Sequence, residues 1–230
     1  MNEARQRGCF IAVEGIDGAG KSGQSRALVT WLRSLRLDVL HTREPGGSPG
    51  AEEIRQLLVT GEAARWDTLS ELLLVYAARR SHLTQTIWPA LEAGRWVVSD
   101  RFADSSRAFQ GVAGGLGLEV VEQVHALVVG DFAPDLTIVL DLDPAVALAR
   151  TVRRGGSEDR FEKKGLAYQT RVHEGFRALA LRSPDTHLLI DATPPVEIVS
   201  AALLSAVAQW LALRLPKDRL PKDRLPKDSR

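Results

Sequence analysis

Cysteine is almost missing from the 230 residues: Cys9 is the only one, so no disulfide can close within the chain. Its place in an apolar stretch predicts a packed thiol rather than a reactive one. An excess of one charge is also missing. Thirty lysines and arginines face 29 acids, a formal +1, so nothing draws the whole chain toward nucleic acid. The balance is uneven, with +4 between Arg214 and Arg230 and −3 over the rest. No run of 18 apolar residues offers to span a bilayer, and Met1 to Gly8 is polar where the apolar part of a secretion signal would stand. The expectation is a cytoplasmic chain with neither a membrane nor a nucleic-acid partner, long enough for one α/β domain with a full core.

What is present starts with Gly15, Ile16, Asp17, Gly18, Ala19, Gly20, Lys21 and Ser22, which fit the phosphate-binding pattern G-x-x-x-x-G-K-[ST]. Its glycines let main-chain N–H groups fold around an anion, while Lys21 brings a mobile positive charge to the outer phosphates. Ser22 is the expected ligand of a magnesium ion. The strand-like Cys9 to Glu14 precedes the motif and the helical periodicity of Ser25 to Leu35 follows it, so a helix N-terminus faces the phosphates. Gly23 stands where many such loops carry a second hydroxyl.

Further along, strands are predicted at Leu37–Thr42, Trp96–Ser99, Leu136–Asp141 and His187–Asp191. Helices are predicted at Glu52–Leu58, Thr68–Ala93, Glu119–Val129, Pro144–Arg154, Ala167–Arg182 and Pro195–Leu213. In the long one, Leu69, Leu72, Leu73, Tyr76 and Leu83 make the apolar face, and Pro89 is expected to kink or restart the helix. Alternating strands and helices point to an α/β fold with a five-stranded parallel sheet flanked by helices. Asp100 and Arg101 fall at the C-terminal end of a buried strand, where ligands gather in such sheets. Residues 1–213 form the expected domain, with a Gly-rich, charged lid at about 153–163. From Arg214 to Arg230, Arg-Leu-Pro-Lys-Asp repeats three times, a composition that predicts a disordered tail.

The motifs together resemble those of bacterial thymidylate kinases, of the P-loop nucleoside monophosphate kinase family. Five segments carry the likeness, in order: Glu14 to Ser22, Thr42-Arg-Glu-Pro-Gly-Gly47, Ala77-Ala-Arg79, Asp100-Arg-Phe102 with Ser105-Ser106 and Phe109-Gln-Gly111, and Asp159-Arg-Phe-Glu162. The resemblance implies a P-loop three-layer fold and a homodimeric, magnesium-dependent enzyme of dTTP biosynthesis that passes the terminal phosphoryl group of ATP to dTMP. It places Lys21 on the ATP phosphates, Arg101 between donor and acceptor phosphates, Asp100 beside the magnesium ion and Asp17 on the sugar 3′-hydroxyl. Arg55 is matched to the acceptor phosphate, Arg79 to the thymine, Ser105, Ser106 and Gln110 to the base side, and Glu44 to the loop over the acceptor. Because Gly18 replaces a P-loop arginine found in other members, the lid is expected to supply catalytic charge from Arg153 or Arg154. The family's usual phenylalanine is Val75 here, which leaves Tyr76 as a substitute for stacking on the base or as a core residue. Two alternatives stay open: another deoxynucleotide as acceptor, or a nucleotide-binding module with weak catalysis.

Overall fold

The computed structural model describes residues 7–154 and 160–214; the lid segment 155–159 and the repeats from 215 onward lie outside the described residues. Five short apolar runs, β1 (Phe10–Glu14), β2 (Val39–Arg43), β3 (Trp96–Asp100), β4 (Leu136–Asp141) and β5 (His187–Asp191), pair in parallel in the order β2-β3-β1-β4-β5. The chain leaves β1 for the outer edge at β2, returns to β3 between the two, and then builds outward through β4 and β5 on the other side. Val13 is thereby in register with Asp100 on one side and Ile138 on the other, and Arg43 with Asp100. The strand ends that carry chemistry thus converge on one edge of the sheet.

Strand side chains point alternately to the two faces. Ile11 and Val13 enter one core cluster with Val98, Leu136 and Ile138, whereas Phe10 and Ala12 enter a second with Val97, Tyr76 and Phe102. Both faces are covered, which gives three layers. The first cluster is closed by α1 (Lys21–Ser34), by α8 (Leu166–Arg182) and by α9 (Val196–Arg214). By length and composition α9 could cross a membrane, the one such helix among the described residues. Its Val199, Leu203, Val207 and Leu211, four apart and nearly unexposed, instead form a stripe against the core.

Between β2 and β3 lie α2 (Pro49–Val59), α3 (Thr68–His82) and α4 (Trp88–Glu92). Asp67 caps α3, accepting from the N–H groups of Leu69 and Ser70. The predicted break at Pro89 takes the form of a π-helical turn, Leu83–Ile87, which absorbs the hydrogen bond that proline cannot make and leads into α4. Two leucines assigned to the buried face of α3 are not buried: Leu69 is 44% and Leu73 52% exposed. Missing from the sequence-based assignment altogether is the segment after β3, where α5 (Ala103–Ser106) runs into a π-helical stretch at Arg107–Ala113. The remaining α6 (Leu118–Val128) and α7 (Pro144–Arg154) match their predicted positions within a residue.

Candidate active site

The turn from β1 into α1 is built by backbone geometry. Gly15, Gly18 and Gly20 all have positive φ, at 135°, 85° and 92°. A Cβ on Gly18 would lie 2.3 Å from the Ala147 carbonyl oxygen and one on Gly15 2.7 Å from that of Leu140, so other residues are excluded by space as well as by conformation. Ile16 and Ala19 anchor the loop by burying their side chains in the core. Lys21 opens α1; its Nζ donates to the Ile16 carbonyl at 2.8 Å and lies 3.6 Å from Asp17 Oδ1. Burial, with Arg101 nearby, pushes its ammonium down to about 8. Ser22 Oγ donates to Asp100 Oδ2 at 2.5 Å, joining the first turn of α1 to the end of β3.

Arg101 follows β3 in a left-handed conformation, φ 75°, that only a constrained non-glycine residue adopts. From there its guanidinium donates to the Gly15 carbonyl (3.0 Å), Ser105 Oγ (2.9 Å) and Asp17 Oδ1 (2.5 Å), above the Phe109 ring. Burial works against its charge, but Asp17, Glu14 and Asp100 outweigh it and raise the pKa. Glu14 supports this corner from below, accepting from the Phe102 N–H (2.8 Å), the Ser105 N–H (3.1 Å) and the Ser105 hydroxyl (2.6 Å). Full burial, reinforced by Asp104, pushes the Glu14 carboxyl up to about 7.

The other end of the site is assembled from side chains. Glu44, which precedes a cis Glu44–Pro45 bond, accepts from Arg79 Nε at 2.7 Å and contacts His82 Nδ1 at 3.2 Å. Burial opposes its charge, yet Arg79 and His82 hold the carboxyl below its ordinary value. Arg79 also donates through Nη2 to the Phe102 carbonyl at 3.0 Å, while its Nη1 is buried with no partner among the described residues. Ser106 Oγ is in the same condition. Arg55 reaches across from α2 to the Pro45 carbonyl at 2.7 Å. Gln110 donates to Glu71 Oε1 at 2.7 Å, and fully buried Glu71 also binds Arg160 (2.5 Å) and Lys164 (2.9 Å).

Both ends open on one cavity of about 860 Å³, lined by six arginines and Lys21 against four carboxylates. That imbalance suits two anionic groups bound side by side. A sequence model of the family described as thymidylate kinase matches residues 13–203. The chain belongs to the thymidylate kinase family. It is 50% identical over 203 residues to a thymidylate kinase of Jannaschia sp. (strain CCS1), covering 88% of this chain and 97% of that one. With the thymidylate kinase of Caulobacter vibrioides it shares 47% over 207 residues, 90% and 99% of the two chains. A crystal structure of thymidylate kinase from Ehrlichia chaffeensis superposes with a TM-score of 0.72 at 30% identity, covering 87% of this chain and 99% of that one. The protein is therefore a thymidylate kinase that phosphorylates dTMP.

Of the residues singled out in the sequence, Asp17, Gly18, Gly20, Lys21, Ser22, Glu44, Arg55, Arg79, Asp100, Arg101, Ser105, Ser106 and Gln110 line this cavity. Two do not. Tyr76 is a correction: 1% exposed, it turns into the second core cluster with its hydroxyl 3.2 Å from His125 Nδ1, and Val75 lines the cavity in its place. Arg153 is the second, on the exposed side of the last described turn of α7 and not among the lining residues. Arg150, one turn earlier and missed in the sequence, does line the cavity. Residues three apart on a helix share a side, a signal that could have found it. The side chain of Arg154 lies outside the described residues. Phe109, Phe161 and Glu162 also line the cavity, and only their motifs, not their roles, were legible.

Proposed function

We propose that in this thymidylate kinase the terminal phosphoryl group of ATP passes in line to dTMP between the P-loop and Arg101, with the thymidine held at the Arg79 end. The observation that carries the reading is the pair of buried atoms Arg79 Nη1 and Ser106 Oγ, unpartnered among the described residues and belonging to lining residues of the same cavity as the P-loop. A buried donor left unpaired costs about 1–3 kcal/mol, which a hydrogen-bonding base recovers. The protein has little covalent work to do; it holds two anions in line and offsets the charge of the moving group. Main-chain N–H groups of the P-loop and Lys21 take the ATP phosphates, Arg101 spans both phosphates, Asp17 accepts from the sugar 3′-hydroxyl, and Arg55 meets the acceptor phosphate. Glu44 fixes Arg79, and Ser105, Ser106 and Gln110 bound the base side.

Ser22 and Asp100 fit a magnesium ion. Their paired hydroxyl and carboxylate oxygens are hard ligands at the phosphate end of the cavity. No group of three His, Cys, Asp or Glu side chains that could hold a metal occurs among the described residues, in keeping with an ion that completes its shell from phosphates and water. When bound, magnesium neutralises charge on the phosphate oxygens. The lid, at about 153–163 within a catalytic domain of residues 1–213, adds positive charge from Arg153 or Arg154 to that of Arg150, which lines the cavity. The exposed Leu69 and Leu73 of α3 support a homodimer, and the single buried cysteine and balanced charge support a cytoplasmic setting, with the 214–230 tail outside the catalytic unit.

The test is a coupled ADP-release assay with ATP and magnesium against dTMP, dUMP, dCMP, dGMP and thymidine. Preference for dTMP is expected, with no turnover of thymidine, which has no phosphate to meet Arg55. A preference for another monophosphate would move the base-side assignments and leave the phosphate end as described.

A further inference from the structure

Tyr76 is three residues before Arg79 on α3, and the arginine lies over its ring: the Arg79 guanidinium carbon is 4.5 Å from the centre of the Tyr76 ring and 5.1 Å from that of Phe102. With Nε on Glu44 and Nη2 on the Phe102 carbonyl, the guanidinium is held by two hydrogen bonds while standing over two aromatic rings. One nitrogen, Nη1, is left over, and Arg79 lines the acceptor end of the cavity. Tyr76 is itself immobilised. Its hydroxyl meets His125 on α6, and the two rings stand edge to face with centres 5.9 Å apart. Burial and the arginines Arg107 and Arg79 push His125 down to about 4, so at neutral pH it accepts or donates as an uncharged ring.

We infer that Tyr76 is a positioning residue for the acceptor: it touches no substrate, and acts by holding the Arg79 guanidinium so that Nη1 stays available to a hydrogen-bond acceptor on the base. The inference rests on the proposed placement of the base at the Arg79 end. It also explains how Val75 can line the cavity without an aromatic ring at that position. Recognition then depends on a well-placed donor, and the donor depends on the ring behind it. A cation held against a desolvated aromatic face keeps its orientation at small entropic cost, since both partners have few rotamers left.

The experiment compares full-length Tyr76→Leu, Tyr76→Met and Tyr76→Phe with the unaltered enzyme, and adds Leu83→Ala, which opens the same apolar cluster while keeping the Tyr76 ring at the Arg79 guanidinium and the main-chain hydrogen bond from residue 83 to the Arg79 carbonyl. Steady-state constants are measured for ATP and for whichever nucleoside monophosphate the unaltered enzyme prefers, together with Tm. Tyr76→Leu and Tyr76→Met are expected to raise the acceptor KM by about ten-fold, the size of a lost desolvated cation–ring contact, with kcat and the ATP KM within about two-fold. Tyr76→Phe, which keeps the ring, is expected to retain the acceptor KM within about two-fold. Leu83→Ala is expected to lower Tm and leave the acceptor KM unchanged.

An unchanged acceptor KM in Tyr76→Met, or an equal rise in Leu83→Ala, overturns the inference. If Tyr76→Leu does not fold, Tyr76→Met, whose unbranched side chain adapts to the space the ring leaves, carries the comparison. Failure of the thymine assignment would appear separately, as a preference of the unaltered enzyme for another monophosphate.

Discussion

The two ends of the cavity are made in different ways. At the phosphate end, eight contiguous residues turn a strand into a helix, and their main chain is placed by glycine dihedrals and by two buried anchors, Ile16 and Ala19. At the acceptor end, Glu44, Arg55, Arg79, Ser106 and Gln110 come from four separate segments, and all but Ser106 are held by another side chain or a distant carbonyl. Glu71 shows the dependence most clearly, since it ties Gln110 to Arg160 and Lys164, which come from much later in the chain. The phosphate end is thus a local structure, and the acceptor end exists only once the whole domain has packed.

The sharpest break in this comparison comes from Arg101, the side chain that ties the ends together. Arg101→Ala is expected to lower kcat by about 1,000-fold, the scale of losing a charge-stabilising arginine in phosphoryl transfer, with Tm little changed. Stopped-flow or coupled turnover beside circular dichroism checks both halves. Near-normal turnover would take Arg101 out of the mechanism.

Next in size is Glu71→Gln, which leaves buried Arg160 and Lys164 without a counter-charge. A loss of about 3 kcal/mol is expected, as for other broken buried ion pairs, or roughly 10 °C in Tm for a domain of this size. Because Gln110 is released with it, the acceptor KM should rise while the ATP KM stays put. Equal effects on both substrates would erase the distinction between a local and an assembled end.

A pH series separates the corner beneath Arg101 from both. Burial raises the Glu14 carboxyl from 4.5 to about 7 in the folded chain. Between those values the folded state holds a proton that the unfolded chain has lost, so stability falls as pH rises through that window and is greatest below it. Urea unfolding from pH 4.5 to 7.5 should show this decline, and Glu14→Gln should flatten it; an identical slope in the variant would place the titration elsewhere.

The smallest effect concerns Gly23. A Cβ there meets nothing within 4 Å, and the residue both lines the cavity and occupies the first turn of α1. Gly23→Ser is expected to stabilise by about 0.5 kcal/mol through helix propensity and to lower the ATP KM slightly by adding a hydroxyl at the phosphates. Differential scanning fluorimetry and ATP titration test it, and a rise in ATP KM would show that the loop at the phosphate end tolerates less than its open space suggests.

What the sequence determined by itself was whatever a contiguous stretch can fix. The P-loop, the five strands, the Asp100–Arg101 pair at the end of β3 and the break at Pro89 are properties of local dihedrals, alternation and a missing N–H, and they stand where they were expected. Which way a helical side chain faces was decided only by tertiary structure. Successive helical residues are turned by about 100°, so Val75 and Tyr76 are equal candidates for a site until packing sets the rotation of the helix, while Arg150 and Arg153 share a side and differ in how far along α7 they stand. The second core cluster takes Tyr76 to lie behind Arg79 and gives the cavity to Val75, while α7, with Ala147 against Gly18, carries Arg150 inward. The same rotation leaves Leu69 and Leu73 outside, because the apolar stripe of α3 is wider than the core it meets.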